Sequence, residues 1–464
     1  MIYQQLFAKS GTAGKTVRAG VIGTGHYATA ILAQSRSIAG LDVPVVADLN
    51  VEAARTAWRH AGWDGDDVVL CESEAVAQRA FERGKRVIVV DASLMMNLPI
   101  DIVVEATGVA AAGARHARDA IRHGKNVAMV TKETDVAVGP MLKRMADRAG
   151  LVYTAVDGDQ HGLLMGLVSW ARELGLEIFC GGKALEFDVV YDPLRGEMRC
   201  ENERRAVRES SFDLYGPTPD TALGSRLKLR RSELGGMCRL HGYDVTEMTL
   251  AANGTGLTPD VPELHCPVAH VTEIVDVLCP RERGGVLGGP GRVDAVSVLK
   301  FPHEAGLAGG VFVVVGCATA YAREILRAKG HITNRSGDAF LITRAHHLCG
   351  VETPLSLLAA VRLGVPTGAS DFQPRFDVVA EAAEEFRAGE TIPTDKSPRL
   401  RASMRPATPM MPGAAVPLHV ASGARLRRTV SVGETITGEM IEPAEETPLW
   451  QLRRQQDAAF FPRA

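Results

Sequence analysis

The sequence predicts an α/β protein that opens with a doubly wound parallel sheet and continues into an α+β domain and a small C-terminal β module. Three observations carry this. Strand-length apolar runs alternate with helical periodicity over residues 1–155, and a glycine-rich turn sits where the first run meets the first helix. Pro- and Gly-punctuated sequence from 390 to 417 then leads into short strand-like pieces.

Residues 16–22 read as a strand, 27–38 as a helix, 43–47 as a strand and 51–60 as a helix, a βαβ rhythm whose crossover is right-handed. Strands follow at 86–90, 101–105, 126–130 and 151–155, with helices at 110–122 and 139–148. From 156 to 375 the pattern is mixed, with strand-like runs at 177–181 and 311–315 among glycine-rich turns. This stretch reads as a domain for substrate binding and for the contacts of a homodimer or homotetramer. The third unit, 376–464, carries strand-like pieces at 416–420 and 428–432, preceded by a Pro/Met/Arg-rich linker at 396–412.

A chain of 464 residues exceeds the ~250 to 300 residues at which single cores stop growing, so several domains are expected. Apolar residues at 46% and charged residues at 23% are those of a globular protein, and a net charge of -3 gives no global attraction for nucleic acid or an anionic membrane. Arg204, Arg205, Arg208, Arg226, Lys228, Arg230 and Arg231 are interleaved with Glu201, Glu203, Glu209 and Asp213, without regularly spaced aromatics, and read as a solvated face. No apolar run reaches the ~18 to 20 residues of a membrane helix, and residues 1–15 lack the apolar core of a secretory signal; a cytoplasmic protein is expected. The eight cysteines form no C-x-x-C pair and read as reduced and buried.

Chemistry concentrates at the ends of the predicted strands. Gly23, Gly25 and Ala28, within Gly23-Thr24-Gly25-His26-Tyr27-Ala28, match G-x-G-x-x-G/A. The glycines permit a tight turn and close backbone approach, and the helix start offers free N–H groups to a pyrophosphate. Asp48, about 20 residues on, is placed to accept hydrogen bonds from ribose hydroxyls and to repel a 2′-phosphate, so NAD is preferred to NADP. Ala106, Thr107 and Gly108, then Thr131 and Lys132, follow later strands at the edge where open α/β sheets bind ligands. Lys132 reads as a group that stabilises alkoxide charge, or shuttles a proton if its pKa is lowered; the alternative is a solvated lysine.

Asp159 and His161 follow the next strand. They read either as substrate-orienting, proton-relaying or metal-ligating groups, or, for Asp159, as a helix cap. Lys183, behind two glycines, reads as substrate-binding. Glu247 and Asn253 lie in an otherwise apolar helical run, where a carboxylate needs a partner; helix capping competes for Asn253. Asp159 and Glu247 are the candidates for a divalent metal. The histidines at 265, 270, 346 and 347 match no zinc spacing and read as structural.

With these segments in hand, the chain resembles the homoserine dehydrogenase-like NAD(P) oxidoreductases that carry a C-terminal SAF module, and among them the 1-deoxy-D-xylulose-5-phosphate reductoisomerase-like proteins. The resemblance runs through Val21 to Gly25, Glu105 to Gly108, Gly158-Asp159, Gly182-Lys183, Glu247-Met248 and Asn253 to Leu257, and Gly284 to Leu287, with Arg387 to Glu390 and Val432 to Glu434 in the SAF-like part. It implies a Rossmann domain and hydride transfer with a small polar hydroxy or oxo compound. Asp48 and Lys132 depart from the reductoisomerase-like pattern, and Thr131-Lys132 looks like the lysine-bearing segment of homoserine dehydrogenases. A reductoisomerase and a dinucleotide-sensing protein without turnover are the alternative readings.

Overall fold

The computed structural model describes residues 2–9, 14–207, 212–217, 223–234, 236–237, 239–442 and 447–461; Arg208 and Glu209 lie outside them. After a short helix α1 (Ile2–Lys9), the first unit is a parallel sheet. Its strands are β1 (Val17–Ile22), β2 (Leu41–Ala47), β3 (Val68–Leu70), β4 (Arg86–Val89), β5 (Ile102–Glu105), β6 (Asn126–Met129) and β7 (Tyr153–Ala155). They lie in the order β3-β4-β2-β1-β5-β6-β7, every neighbouring pair parallel. Chain order reverses between β1 and β5, the switch point at which doubly wound sheets open a crevice.

Helices α2 (His26–Ser35), α3 (Val51–His60), α4 (Glu74–Glu82), α5 (Ala110–Arg122), α6 (Lys132–Arg148) and α7 (Gln160–Glu173) connect and flank the strands. Each forms for a local reason. Asn50 caps α3 by accepting from Glu52 N and Ala53 N, and α3 buries Ala54, Ala57 and Trp58 on one stripe. The stripe of α5 is Gly113, Ala114, Ala117, Ala120 and Ile121.

Three elements depart from the sequence expectation here. β3 and α4 occupy residues that carried no expected element, because β3 is too short to show a period. And α6 begins at Lys132 rather than 139, running through Pro140. A proline in a helix interior lacks the N–H that would bond four residues back and ordinarily breaks the helix. The helix accommodates it because Gln456 supplies hydrogen bonds on either side of the proline, accepting from Met141 N and donating to Ala137 O.

The second unit is a mixed sheet of β8 (Glu177–Ala184), β9 (Val189–Asp192), β10 (Glu197–Cys200), β11 (Glu203–Ala206), β12 (Arg292–Lys300), β13 (Val311–Gly316) and β14 (Ala339–Arg344), ordered β11-β10-β9-β12-β8-β13-β14. Two short pieces, Thr258–Pro259 and Val268–Ala269, also pair with β12. Helices α8 (Leu223–Leu234), α9 (Gly242–Thr255) and α10 (Ala320–Ala328) complete it. α9 is buried on nearly every face from Asp244 to Asn253, which is why its run looks apolar all round.

The C-terminal unit pairs β15 (Phe376–Ala382) with β16 (Leu400–Pro406), antiparallel. The expected strand at 416–420 is instead a four-residue helix, Leu418–Ala421, and the expected strand at 428–432 is reduced to a single bridge, Val430 to Phe386. Beyond them the last helix, α11 (Pro448–Phe460), packs on α5 and α6 of the first unit. Its Leu449 and Leu452 join the same apolar cluster as Val103 and Leu142, each burial contributing about 1.5–3 kcal/mol. Among the described residues no helix is long and apolar enough to cross a membrane.

Candidate active site

The carboxyl edge of the parallel sheet is interlocked by the residues expected to face a dinucleotide. The ladder is extended past the strand ends by Gly23 N to Ala47 O (2.8 Å), Ala106 N to Ile22 O (2.8 Å) and Asp48 N to Val89 O (3.1 Å). Gly23 takes φ +85°, and a Cβ there would stand 2.7 Å from the Ala106 carbonyl oxygen, so glycine is required by the turn itself. Thr24 donates through N (2.7 Å) and Oγ1 (2.6 Å) to Asp48 Oδ2, while Asp48 Oδ1 accepts from Asn50 N (2.8 Å). Gly108 N donates to Thr131 Oγ1 (3.0 Å), tying the loop after β5 to the start of α6.

Gly25 is different. It has an ordinary φ of -66°, its side-chain position is open, with no atom within 4 Å of a Cβ, and it caps α2 without a side-chain hydrogen bond. The first helical bond there is Thr29 N to Gly25 O, which leaves the N–H groups of His26, Tyr27 and Ala28 at the open helix end. Nothing inside the chain demands a glycine at 25; a phosphate seated against those N–H groups would. The edge therefore fits a dinucleotide. Three exposed apolar side chains that the sequence reading passed over flank it: Leu49, Val90 and Val109, each the first or second residue after Asp48, β4 or Gly108.

Tyr27 is held by the second unit: its hydroxyl bonds Thr353 Oγ1 (2.8 Å), which in turn donates to Asp157 O (2.7 Å). Burial, then Asp159, push its phenol pKa well above the ordinary value.

A dense ionic cluster lies next to this edge. Lys132 begins α6, Lys183 lies on β8, Glu247 on the second turn of α9 and Asp159 caps α7. The two oxygens of Glu247 are divided between the two ammoniums: Oε1 accepts from Lys132 and Oε2 from Lys183. Lys183, fully buried, also donates to Asp244 Oδ1 (2.7 Å). Asp244 and Glu247 are one helical turn apart and so share a face of α9. That spacing was the signal in the sequence for Asp244, which the reading of Glu247 alone missed. The ring of Tyr243, also missed, stands 5.4 Å from the Lys132 ammonium and 5.9 Å from that of Lys183.

Electrostatics fix the charge states. Burial would push Glu247 up, but the two ammoniums outweigh it and bring its carboxyl down to about 2. Burial would likewise lower both lysines, yet Glu247, with Asp159 beside Lys132 and Asp244 beside Lys183, raises both above the ordinary value. Lys132 is thus held as a cation, which fits the charge-stabilising reading of it and not the proton-shuttling alternative, whose condition was a lowered pKa. Glu247 is ionised, with each of its oxygens engaged by an ammonium. Among the described residues no group of three or more His, Cys, Asp or Glu side chains is arranged to hold a metal ion.

His161 is fully buried, with neither ring nitrogen hydrogen-bonded and Nδ1 3.8 Å from Asp159 Oδ1; burial lowers its pKa, keeping the ring neutral. Asp159 caps α7 by accepting from Gln160 N (2.8 Å), so capping and proximity to His161 coexist. Asn253 stands apart: its amide oxygen accepts from Arg375 N (3.0 Å) and Phe376 N (2.9 Å), and its nitrogen donates to Phe376 O (3.0 Å). It ties α9 to β15, and the expected substrate contact is corrected, because the amide is buried and three of its four hydrogen-bonding positions are taken up by backbone groups at the start of that strand. Three of the other histidines singled out in the sequence have partners within the fold: His265 pairs with Asp260, His270 with Tyr215 O and His347 with Gly309 O. Arg230, within the basic stretch, is buried in a two-point ion pair with Glu273.

Residues 243–353, which hold Tyr243, Asp244 and Glu247, match the family model described as the catalytic domain of oxidoreductase DRL. No protein of curated function matches the chain. Solved structures that it resembles include the oxidoreductase yvaA of Bacillus subtilis (15% identity, 76% of this chain, 90% of that one, TM-score 0.34). They also include biliverdin reductase of Synechocystis sp. PCC 6803 in complex with biliverdin and NADP+ (20%, 38% and 48%, TM-score 0.22). A third is 1-deoxy-D-xylulose 5-phosphate reductoisomerase of Zymomonas mobilis in complex with NADPH (16%, 37% and 46%, TM-score 0.28). The chain spans about half the length of the latter two proteins. The matching segment is thus similar to an oxidoreductase catalytic domain, joined to a doubly wound dinucleotide-type sheet.

Proposed function

We propose that the chain is an NAD(P)-dependent oxidoreductase, NAD being preferred, that moves a hydride to or from a small polar hydroxy or oxo compound. Its parts are a dinucleotide domain over 1–155, a substrate domain over 156–375 and a SAF-like unit over 376–464. The observation that carries the reading is the pair of ammoniums, Lys132 and Lys183, converging on one ionised carboxylate beside the glycine-rich edge of the sheet.

The nicotinamide supplies the hydride chemistry when bound. The helix end at His26 to Ala28 would hold its pyrophosphate, Asp48 its adenosine ribose, and Leu49 and Val90 would cover apolar ring surface. When a carbonyl is reduced, negative charge collects on its oxygen, and Lys132 and Lys183 provide fixed positive charge for it in a site shielded from water. Glu247 and Asp244 orient and charge the lysines rather than carry protons. In the direction that oxidises a hydroxy compound, neutral His161 would accept the hydroxyl proton and become an imidazolium beside Asp159; in the reverse direction that imidazolium would return the proton to the alkoxide.

The reductoisomerase reading asked for a divalent cation at Asp159 and Glu247; Glu247 is committed to two lysines, so simple hydride transfer is favoured. The test is a panel of hydroxy acids, hydroxy aldehydes and sugar phosphates followed by NADH and NADPH absorbance, with and without magnesium, on wild type, Lys132→Ala and Lys183→Ala. One substrate class should turn over without metal, and each variant should lose activity while keeping cofactor affinity. Wild-type rates in both variants would refute the assignment.

A further inference from the structure

The Lys132–Glu247 ion pair is braced from behind, on both of its helices, by the C-terminal unit. On one side is α6, which presents Lys132 and is broken chemically at Pro140: a proline lacks the N–H that would bond four residues back and crowds that carbonyl, the usual origin of a hinge. Gln456 of α11, fully buried, meets the break. Its amide oxygen accepts from Met141 N (3.1 Å) and its amide nitrogen donates to Ala137 O (3.2 Å), one residue after the proline and three before it. A buried amide costs free energy unless matched, and this one is matched on both atoms by the two sides of the hinge.

α11 is in turn locked to the C-terminal strands. Arg453, fully buried, makes a two-point pair with Asp377 on β15 (2.6 and 2.8 Å), bonds Asp457 (2.8 Å) and donates to Thr408 O (2.9 Å). On the other side of the pair is α9, where the residue before Glu247 is Thr246. Its hydroxyl lies 2.9 Å from His419 Nε2 and 3.3 Å from Asp395 Oδ2, both from the C-terminal unit and both buried.

We propose that the C-terminal unit is a positioning frame for the Lys132–Glu247 pair, with Gln456 setting the hinge of the Lys132 helix and His419 and Asp395 setting the Glu247 helix. The inference rests on the reading of Lys132 as a catalytic group. A SAF-like unit with no residue in the cluster itself thereby acquires a part in the reaction.

The experiment uses the full chain and four variants: Gln456→Leu, Gln456→Met, Gln456→Leu with Pro140→Ala, and Thr246→Val. Amide hydrogen exchange over residues 132–141, which needs no turnover, should become about tenfold faster in both Gln456 single variants because the hinge opens locally. kcat should fall about a hundredfold in these and in Thr246→Val, with the cofactor KM unchanged, as expected when a reacting group is displaced by about 1 Å. Adding Pro140→Ala to Gln456→Leu should recover exchange protection and kcat, since the helix then closes its own hydrogen bonds. Wild-type exchange in both Gln456 single variants, or no recovery with Pro140→Ala, overturns the frame. A Lys132→Ala enzyme with wild-type turnover would instead overturn the catalytic reading and leave the exchange result to judge the frame. If Gln456→Leu does not fold, Gln456→Met, which keeps the volume and loses both hydrogen bonds, decides the point.

Discussion

Replacing Lys183 with methionine removes a fully buried cation from a set in which every charge depends on the others. Its ammonium is shared by Asp244, at 2.7 Å, and Glu247. Deleting one partner of a buried ionic set costs about 3–5 kcal/mol, because the charges left behind are neither paired nor hydrated. A second figure comes from Glu247, whose carboxyl is brought from an ordinary 4.5 to about 2 by Lys132 and Lys183 against the opposing effect of burial. That net interval corresponds to roughly 3 kcal/mol, and because burial opposes it the two lysines together contribute more than this, Lys132 ahead of Lys183. The sign follows from the lowered folded value: this stability is present above pH 4.5 and is lost as pH falls toward 2. Lys183→Met should therefore lose a few kcal/mol at pH 7 and show a smaller further loss on acidification than wild type does. Turnover should fall roughly a hundred- to a thousandfold, the usual cost of one charge-stabilising donor. Urea unfolding followed by far-UV circular dichroism at pH 7 and pH 3, with steady-state rates, measures all of these. An unchanged unfolding midpoint, or turnover within about tenfold of wild type, refutes the reasoning.

Four further outcomes are expected. Gly25→Val should weaken dinucleotide binding roughly a hundredfold, by NADH fluorescence titration, while leaving the melting temperature unchanged, since the new side chain points into open space; Gly23→Val should fail to fold normally. His161→Leu should lower turnover about 10²- to 10⁴-fold while keeping or raising stability, because its ring nitrogens make no hydrogen bonds; an unfolding midpoint well below wild type would contradict this. Asp135 is buried against the Tyr153 hydroxyl (2.5 Å), and burial raises its carboxyl to about 7. Its contribution is full below the ordinary 3.8 and lost as pH rises through about 7, so Asp135→Asn should be more stable than wild type at pH 8, and equal stability there would count against it. Steady-state kinetics should give a lower KM for NADH than for NADPH, with Asp48→Ala narrowing the gap; a wild-type preference for NADPH would sink the role given to Asp48.

The dinucleotide edge was legible in the sequence because its demands are local. A glycine at φ +85°, an open helix end and a carboxylate after the second strand are each set by a few neighbouring residues. Helices at 51–60 and 110–122 were legible for the same reason, having one apolar stripe each. The ionic cluster was legible only in parts. Lys132, Lys183 and Glu247 were singled out as charges in unusual settings, but that one carboxylate serves both lysines depends on contacts 115 and 64 residues apart in the chain. Asn253 misled because a buried amide looks the same in sequence whether it meets a ligand or two backbone groups of a distant strand. α11 was hidden behind the strand-like pieces that precede it, and its role at Pro140 depends on contacts of Gln456 with residues 315 and 319 positions away in the chain.

The most direct test of the central claim follows deuterium from NADH labelled at the nicotinamide C4 into the product of whichever panel compound turns over, by mass spectrometry, in wild type, Lys132→Ala and Lys183→Ala. Stoichiometric transfer to the product carbon by wild type, with transfer slowed roughly a hundredfold or more in each variant at saturating cofactor, is the predicted result. Transfer at the wild-type rate in both variants, or product formed without the label, would contradict it.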